Sequence, residues 1–309
     1  MNSHPDQRLA CAILTRLAAP ADPLMGRLLA GLAPAAVIAS IRSGAIPAAV
    51  AAGLDNAHAS GLGRSLARWR AQLPAIPPDG GLAAAQRDGI RLLCPGEAGW
   101  PPGLDDLGTV RPYALWMRGT ADLRACCQKA IAIVGARAAS AYGFHVATEI
   151  AADLASRGWT VISGAAYGVD AAAHHGALVA GGRTIAVLAC GPDVPYPREH
   201  HGLLADIAAR GAVISEYPPG QRPSRLRFLA RNRLIAAVTG GTVVVEAAAR
   251  SGTMATARRA SDLGRPLMAV PGPVTSAMSE GCLALIRERR AASVTGAADI
   301  IAHMPPAQP

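Results

Sequence analysis

The sequence predicts an α/β protein: a doubly wound, Rossmann-like parallel sheet preceded by a small N-terminal helical domain. From about residue 129 onward, short apolar runs rich in β-branched residues alternate with segments long enough for crossover helices. Before residue 73, apolar residues recur instead at helical spacing. Runs this uniformly apolar are typical of strands buried on both faces, which is the arrangement in a parallel sheet.

Residues 1–75 are predicted to form the helical domain. Leu9, Ile13 and Leu17 fall on one helical face, and breaks such as Pro34 and Gly53 divide the segment into short helices. Turns between short helices favour either a module that touches nucleic-acid backbone or one that serves packing or dimerisation. The sequence leaves both interpretations open.

Residues 76–122 are predicted to form an irregular segment, rich in proline and glycine, that leads into the sheet domain. Within it, Tyr113–Arg118 is predicted to form a strand at the edge of the following sheet. Residues 123–303 are predicted to form the Rossmann-like domain, and residues 304–309 a loose tail. Six strands are predicted there: Ile131–Val134, Thr160–Ile162, Thr184–Leu188, Ala212–Ile214, Thr242–Val245 and Pro266–Val270.

Composition excludes several classes of protein. Although 51% of the residues are hydrophobic, charged residues interrupt every apolar run before it reaches the length of a membrane span. The expectation is a soluble, cytoplasmic protein with no membrane partner. Six cysteines without a CxxC pair predict reduced thiols and no metal site. The formal net charge of +9 favours a polyanionic partner only weakly, because an alanine- and arginine-rich chain reaches such a charge through composition alone.

The first predicted strand ends in Gly135, Ala136 and Arg137. The stretch GARAASAYG matches neither the GxGxxG of a dinucleotide site nor the Gly-Lys-Ser/Thr of a Walker loop, so no nucleotide cofactor is expected. A glycine turn, an arginine and the N-terminus of a helix starting near Ser140 would together hold a phosphate. The alternative is a tight structural turn whose arginine caps a neighbouring helix.

The next two strand ends carry small residues. Ser163 and Gly164 close the second strand, and Gly168 with Asp170 opens the following helix. His174 and His175 lack ligand partners at helical spacing and are interpreted as structural. Cys190 closes the third strand without an assignable base, which argues against a nucleophile.

Arginines crowd the segment after the fourth strand, with Tyr217 and Phe228 among them. Cations interleaved with aromatic rings are what a single-stranded nucleic acid requires, because guanidinia pair with phosphates and rings stack on bases. A run of surface charge is more often a solvated face, but this one follows a strand end on the ligand edge of the sheet. The arginines are Arg222, Arg225, Arg227, Arg231 and Arg233.

The fifth strand is followed by Glu246 and then by Arg250, Ser251, Gly252 and Thr253. The latter four predict a second phosphate cradle at a helix N-terminus. Glu246 is ambiguous, since it would accept either from a base or from a neighbouring arginine.

Together these strand ends resemble the DNA-processing protein A (DprA/Smf) family over about residues 80–302. The matching stretches are IVGARAASAYG, VISGAAYGVDAAAHHGAL, TIAVLACGPDVPYPREH, ISEYPPG, RNRLIAAVTGGTVVVEAAARSGTMATARRA, and MAVPGPVTS with GCLALIR. The resemblance implies an extended Rossmann sheet preceded by a sterile-alpha-motif (SAM)-like helical domain. It also implies a non-enzymatic homodimer that binds single-stranded DNA, protects it during natural transformation (competence) and loads the recombinase RecA onto it. No catalytic residue and no cofactor are implied.

The nucleic-acid-binding residues that follow from the strand ends and the resemblance form one set. They are Gly135, Ala136, Arg137, Ser163, Gly164, Tyr167, Gly168, Arg227, Arg231, Asn232, Arg233, Glu246, Ser251, Gly252 and Thr253. Relative to the family pattern, Ala136 replaces a serine, Tyr167 replaces a basic residue, and the sequence stops at Pro309 without the C-terminal winged helix that many members carry.

Two other functions compete with this interpretation. Gly240-Gly241-Thr242 with Glu246 loosely resembles the lysine-decarboxylase-like nucleotide phosphoribohydrolases, a related Rossmann group that hydrolyses nucleoside monophosphates. A scaffold that binds RecA without touching DNA is the third reading.

Overall fold

The computed structural model describes residues 5–52 and 56–305, so the predicted helix break at Gly53 and residues 306–309 of the predicted tail lie outside it. Its central feature is one nine-stranded sheet with the order β1-β2-β6-β5-β4-β3-β7-β8-β9. The strands are β1 Ile90–Leu93, β2 Leu115–Gly119, β3 Ala130–Val134, β4 Thr160–Ser163, β5 Thr184–Val187, β6 Ala212–Ser215, β7 Gly241–Val244, β8 Leu267–Ala269 and β9 Ala292–Ser293.

The N-terminal segment is helical, as predicted. Its helices are α1 Pro5–Leu17, α2 Pro23–Gly31, α3 Pro34–Ser43, α4 Ala48–Ala51 and α5 Asn56–Gln72. Asp22 begins α2 by accepting hydrogen bonds from the amides of Leu24 and Met25, and Leu14, Leu66 and Trp69 lie in the core between the helices. No helix in the described ranges is by itself long and apolar enough to cross a membrane; α2 and α3 reach that threshold only when joined, across a bend of 117°.

Strands β3 to β9 run parallel, and the six predicted strands are confirmed with bounds within one residue. The remaining helices are α6 Leu82–Arg87, α7 Leu123–Gln128, α8 Ala141–Ser156, α9 Val169–Val179, α10 His201–Arg210, α11 Arg225–Ala237, α12 Gly252–Asp262, α13 Glu280–Arg287 and α14 Ala297–Ala302. Alternate residues of β3 point to opposite faces of the sheet. Ala132 therefore packs in the core with α11 and α12, and Ile131 in the core with α8 and α9.

The strand predicted at the edge of the sheet corresponds to β2, which is the second strand from the edge. β2 pairs antiparallel with β1 on one side and with β6 on the other, so β1 forms the edge. The helical segment is joined to this part of the sheet by hydrogen bonds from Tyr113 Oη to the carbonyl oxygen of Ala19 (2.8 Å) and from Trp116 Nε1 to Thr15 Oγ1 (3.2 Å). The domain boundaries at residues 75, 122 and 303 remain predictions.

The chain reverses its direction of travel across the sheet at β3. From β3 the strands proceed outward through β4 and β5 to β6, and the chain then returns to place β7 on the other side of β3. The helices that follow β3 and β7 therefore leave on opposite faces, which opens a crevice at the carboxyl ends of these two strands. This topological switch point is where ligands bind in open α/β sheets.

Candidate nucleic-acid interface

A groove of about 1070 Å³ lies at this switch point, and we call it the switch-point groove. Its walls are the turn after β3, the first residues of α9 and α11, and the loop and helix that follow β7. The predicted residues that line it are Gly135, Ala136, Arg137, Arg231, Asn232, Ser251, Gly252 and Thr253. Four segments that are far apart in the sequence thus meet at one surface.

The charge of the groove is strongly positive. Its lining includes five arginines, namely Arg137, Arg225, Arg231, Arg250 and Arg258, against one carboxylate. That carboxylate, Asp170, is buried and accepts hydrogen bonds from the amides of Gly164 (3.2 Å) and Ala166 (3.4 Å). Burial raises the pKa of Asp170, and Arg231 opposes this rise. The net result is a concave surface suited to an anion of several charges.

Phe228 forms the aromatic centre of the groove. The guanidinium carbons of Arg137 and Arg231 lie 4.7 Å and 5.8 Å from the centre of its ring, and the Tyr196 ring lies 5.5 Å away. Ser224 caps the start of α11, so Phe228 and Arg231, three residues apart, project from one helix face. Guanidinium groups and an aromatic ring therefore lie close together in the groove, as the sequence predicted.

Arg231 lies at the bottom of the groove, with only 4% of its surface exposed. One of its terminal nitrogens donates to the carbonyl oxygen of Val187, and its Nε has no hydrogen-bond partner in the structure. Burial lowers the pKa of Arg231, and Asp170 opposes this effect. A Cβ atom at Gly164 would stand 2.0 Å from Arg231 Nη1, so the glycine makes room for the guanidinium.

The second predicted strand end is buried and bonded within the protein, and DNA contacts of Ser163 and Gly164 stay a prediction. Ser163 is fully buried, and its hydroxyl donates to the carbonyl oxygen of Ile133 at 2.6 Å. The Gly164 amide is already bonded to Asp170. Gly164 thereby shapes the floor of the groove under Arg231.

The turn after β3 is held close to the start of α9. Gly168 has a φ of +75°, and a Cβ atom there would lie 2.3 Å from the carbonyl oxygen of Ala136, so only glycine allows this approach. Gly168 itself does not line the groove. On the opposite wall, Thr253 Oγ1 donates to the carbonyl oxygen of Gly135 at 2.9 Å, which ties α12 to the turn.

The N-terminus of α8 is occupied by the carboxylate of Glu246, and a DNA contact of Glu246 stays a prediction. The Glu246 carboxylate accepts hydrogen bonds from Ser140 N (2.9 Å) and Ser140 Oγ (2.6 Å), and it is 2% exposed. A Cβ atom at Gly143 would lie 2.1 Å from Glu246 Oε2. Glu246 therefore supplies the negative charge that this helix end attracts.

The N-terminus of α12 does open into the groove. Ser251 caps it by accepting from the Met254 amide at 3.4 Å, and Ser251, Gly252 and Thr253 all line the groove. Asn232 Nδ2 donates to the carbonyl oxygen of Gly252 at 3.3 Å and so fixes the turn against α11. The second phosphate cradle predicted from the sequence thus faces the groove.

Two predicted arginines, Arg227 and Arg233, lie outside the lining of the groove, and their DNA contacts stay predictions. Arg233 is buried, and its terminal nitrogens donate to both carboxylate oxygens of Glu216 at 2.7 Å and 2.6 Å. Arg227 donates to Gln221 Oε1 at 2.7 Å and lies 5.0 Å from the centre of the Tyr217 ring. Neither lines the groove, so both stabilise the fold of the loop and of α11.

Tyr167 is exposed but lies beside the groove rather than in it. Its hydroxyl donates to the Glu199 carboxylate, and this hydrogen bond raises the pKa of Tyr167. Its ring meets that of His200 edge to face at 4.9 Å. The position that carries a basic residue in the family pattern is therefore bonded to an acid here.

Sequence reasoning did not single out Arg258. Met254, Ala255 and Arg258 of α12 lie three, four and seven residues after the cap Ser251, and all four residues line the groove. That helical spacing from the cap is the signal that would have found Arg258. Its neighbour Arg259 points away from the groove and pairs with Asp262 at 3.6 Å.

His174, interpreted as structural, and Cys190, interpreted as not a nucleophile, are both buried. Burial lowers the pKa of His174 to about 3 and raises the pKa of Cys190 to about 12. Within residues 5–52 and 56–305, no three His, Cys, Asp or Glu side chains are grouped so as to hold a metal ion.

Comparison with known proteins places the chain in a family. The family model described as DNA recombination-mediator protein A matches residues 91–305. A relative named putative DNA processing protein DprA, from Mycobacterium tuberculosis strain H37Rv, is 42% identical over 302 residues, which cover 94% of this chain and 74% of the relative. The chain belongs to the DprA family.

Two solved DprA structures share its fold. The X-ray structure of DprA from Streptococcus pneumoniae has a TM-score of 0.71 and 33% identity, covering 80% of this chain and 85% of that one. DprA from Helicobacter pylori, whose structure concerns its single-stranded DNA binding mode, has a TM-score of 0.62 and 30% identity, covering 69% of this chain and 94% of that one. These likenesses confirm the predicted Rossmann-like class.

Proposed function

We propose that this DprA-family chain binds single-stranded DNA in the switch-point groove and acts as a recombination mediator. The observation that carries the proposal is the lining of the groove, in which five arginines face one carboxylate and Phe228 lies between two guanidinia. A sugar–phosphate chain with unpaired bases is the ligand that uses both the charges and the ring.

The binding mode is independent of sequence. Arg137 and the amides and hydroxyls at the start of α12 meet phosphates, which position a strand without reading it. Phe228 offers its ring to any base, because every base has a π-face. Duplex DNA keeps its bases stacked inside, so it gains nothing from the ring, and single strands are preferred.

The proposal includes no chemical step. Glu246, the acid that a phosphoribohydrolase would need, is buried and bonded to Ser140 instead of lining the groove. Asp170 is likewise bonded to backbone amides. Both arrangements favour a binding protein over the hydrolase.

Membership in the family supports a wider role as a further part of the proposal. We extend the proposal to loading of RecA onto the bound strand, to protection of incoming DNA in natural transformation, and to action as a cytoplasmic homodimer. A scaffold that binds RecA without DNA has no use for the groove lined by arginines, so it is not favoured.

The salt dependence of binding to oligothymidine tests the DNA proposal. If the five groove arginines neutralise about five phosphates, log K for the wild-type chain falls with log salt at a slope of about −3.5. A slope weaker than about −1, or turnover of nucleoside monophosphates by the same sample, would overturn it. Binding to RecA without binding to oligothymidine at any salt concentration would instead favour the scaffold.

A further inference from the structure

Exposed apolar side chains are concentrated on one edge of the molecule. Eight large hydrophobic residues are exposed in the described ranges, and seven of them follow the carboxyl ends of strands. The eighth, Val179, ends α9 at the opposite edge with 85% exposure. The seven are Tyr142, Phe144, Tyr167, Tyr196, Leu226, Leu229 and Val274. Scattered exposed residues need no explanation, but a one-sided distribution that includes four aromatic rings marks an interaction face.

The groove accounts for only two of the seven, Tyr196 and Leu229. Three others, Tyr142, Phe144 and Val274, lie on the first turn of α8 and on the loop after β8, and we call them the α8 patch. Tyr142 Oη donates to the carbonyl oxygen of Pro271 at 2.7 Å, which holds the helix turn and the loop together. Phe144, with 48% of its surface exposed, is the less constrained ring.

The α8 patch continues the groove. Ala138 lines the groove and precedes the Ser140 cap of α8 by two residues. On the other side, Met278 lines the groove and belongs to the same loop as Val274. A strand that leaves the groove over Ala138 therefore arrives at the first turn of α8.

The distribution of charge favours a strand path from the groove toward α8 over a path toward Tyr167. Beside the groove near β4, the exposed ring of Tyr167 is bonded to Glu199, whose exposed carboxylate repels phosphates. On the α8 side, Glu246 is 2% exposed and its carboxylate is already bonded to Ser140, so it is not an exposed acid, although it occupies the helix end. The path over Ala138 toward α8 thus avoids the exposed carboxylate that is bonded to Tyr167.

We infer that the α8 patch is an extension of the strand-binding site, in which Phe144 stacks on a base outside the groove. This rests on the proposed single-strand binding and adds a second stacking position to that of Phe228. Three side chains are far fewer than the 20 to 30 residues a side of a standard protein interface. A base, by contrast, needs only the face of one ring.

The test compares full-length variants on oligothymidines of about six and about twenty nucleotides at low salt. Phe144→Ala is expected to bind the long oligomer about 5- to 150-fold more weakly than wild type, and the short one equally well. Phe144→Tyr, which keeps a ring, restores the affinity. Val179→Ala removes an even more exposed apolar side chain from the opposite edge and leaves both affinities unchanged.

The outcomes separate the two proposals. Equal affinity of Phe144→Ala and wild type for the long oligomer, or an equal loss at both lengths, overturns the assignment of Phe144 while leaving the groove intact. A lower molecular mass of Phe144→Ala by light scattering, with DNA binding unchanged, identifies a second copy of the chain as the occupant of the patch. Failure of wild type to bind either oligomer refutes the underlying single-strand proposal instead.

Discussion

Two helix N-termini flank the switch point, and they differ in what they hold. α8 and α12 both begin after a strand, a turn and a capping serine, Ser140 in one and Ser251 in the other. The first is closed by the carboxylate of Glu246, whereas the second faces the groove. The same local pattern thus serves the fold at one helix and a ligand at the other. The difference is set by a residue about a hundred positions away.

Among the substitutions that test this difference between the two helix ends, Glu246→Ala is expected to have the largest effect, and the effect is on stability. It leaves the amide and hydroxyl of Ser140 without their charged acceptor, at a cost of about 3 kcal/mol in the free energy of unfolding. Urea unfolding measures the loss. Oligothymidine affinity of the folded fraction should stay close to wild type, because Glu246 does not line the groove. A stable variant with weakened DNA binding would mean that Glu246 meets the ligand after all.

Arg258→Ala tests whether the proposed DNA-binding surface at the N-terminus of α12 extends along the helix. Loss of one phosphate contact should weaken oligothymidine binding about tenfold at low salt and reduce the salt slope by about 0.7. Arg259→Ala is the matched control, because its side chain points away from the groove and pairs with Asp262. Equal effects of the two substitutions would show that only overall charge matters.

Ser251→Ala is expected to have the smallest effect, and its comparison with Ser140→Ala is the sharpest test of the two helix ends. Ser251→Ala should cost about 1 kcal/mol of stability through the lost cap and also weaken DNA binding. Ser140→Ala loses both its cap and its bond to Glu246, so it should be the less stable variant yet bind DNA as wild type does. The pair is measured by urea unfolding and by oligothymidine titration. Reversed effects on binding would reverse the assignment of the two helix ends.

The sequence predicts best what depends on short-range pattern. The six parallel strands follow from their apolar runs, and the turns at Gly135 and Ser251 follow from the residues that close a strand and open a helix. β9 was not predicted because two residues give too short a pattern to recognise. β1 is as long as β4 to β7, but Arg91 interrupts its apolar run and only Ile90 in it is β-branched.

Long-range pairing is what the sequence could not supply. Arg231 and Arg233 are two residues apart and look alike in the sequence, yet one lies under the groove and the other is buried against Glu216. Ser163 resembled a phosphate ligand, but its hydroxyl is taken by a carbonyl of β3. In each case the deciding partner lies 17 or more positions away. Local patterns therefore locate the edge where the site lies, while tertiary packing selects which side chains reach it.

The two outer strands of the sheet limit how this chain can associate with itself. β9 has only two residues, and β1 has four, with the carbonyl oxygen of Leu92 accepting a hydrogen bond from Arg8 of α1. Strands this short, one of them partly bonded by a side chain, are poor templates for the backbone of another molecule. A second copy would therefore have to dock through its side chains, and such a contact can be weakened by point substitution without disturbing the sheet.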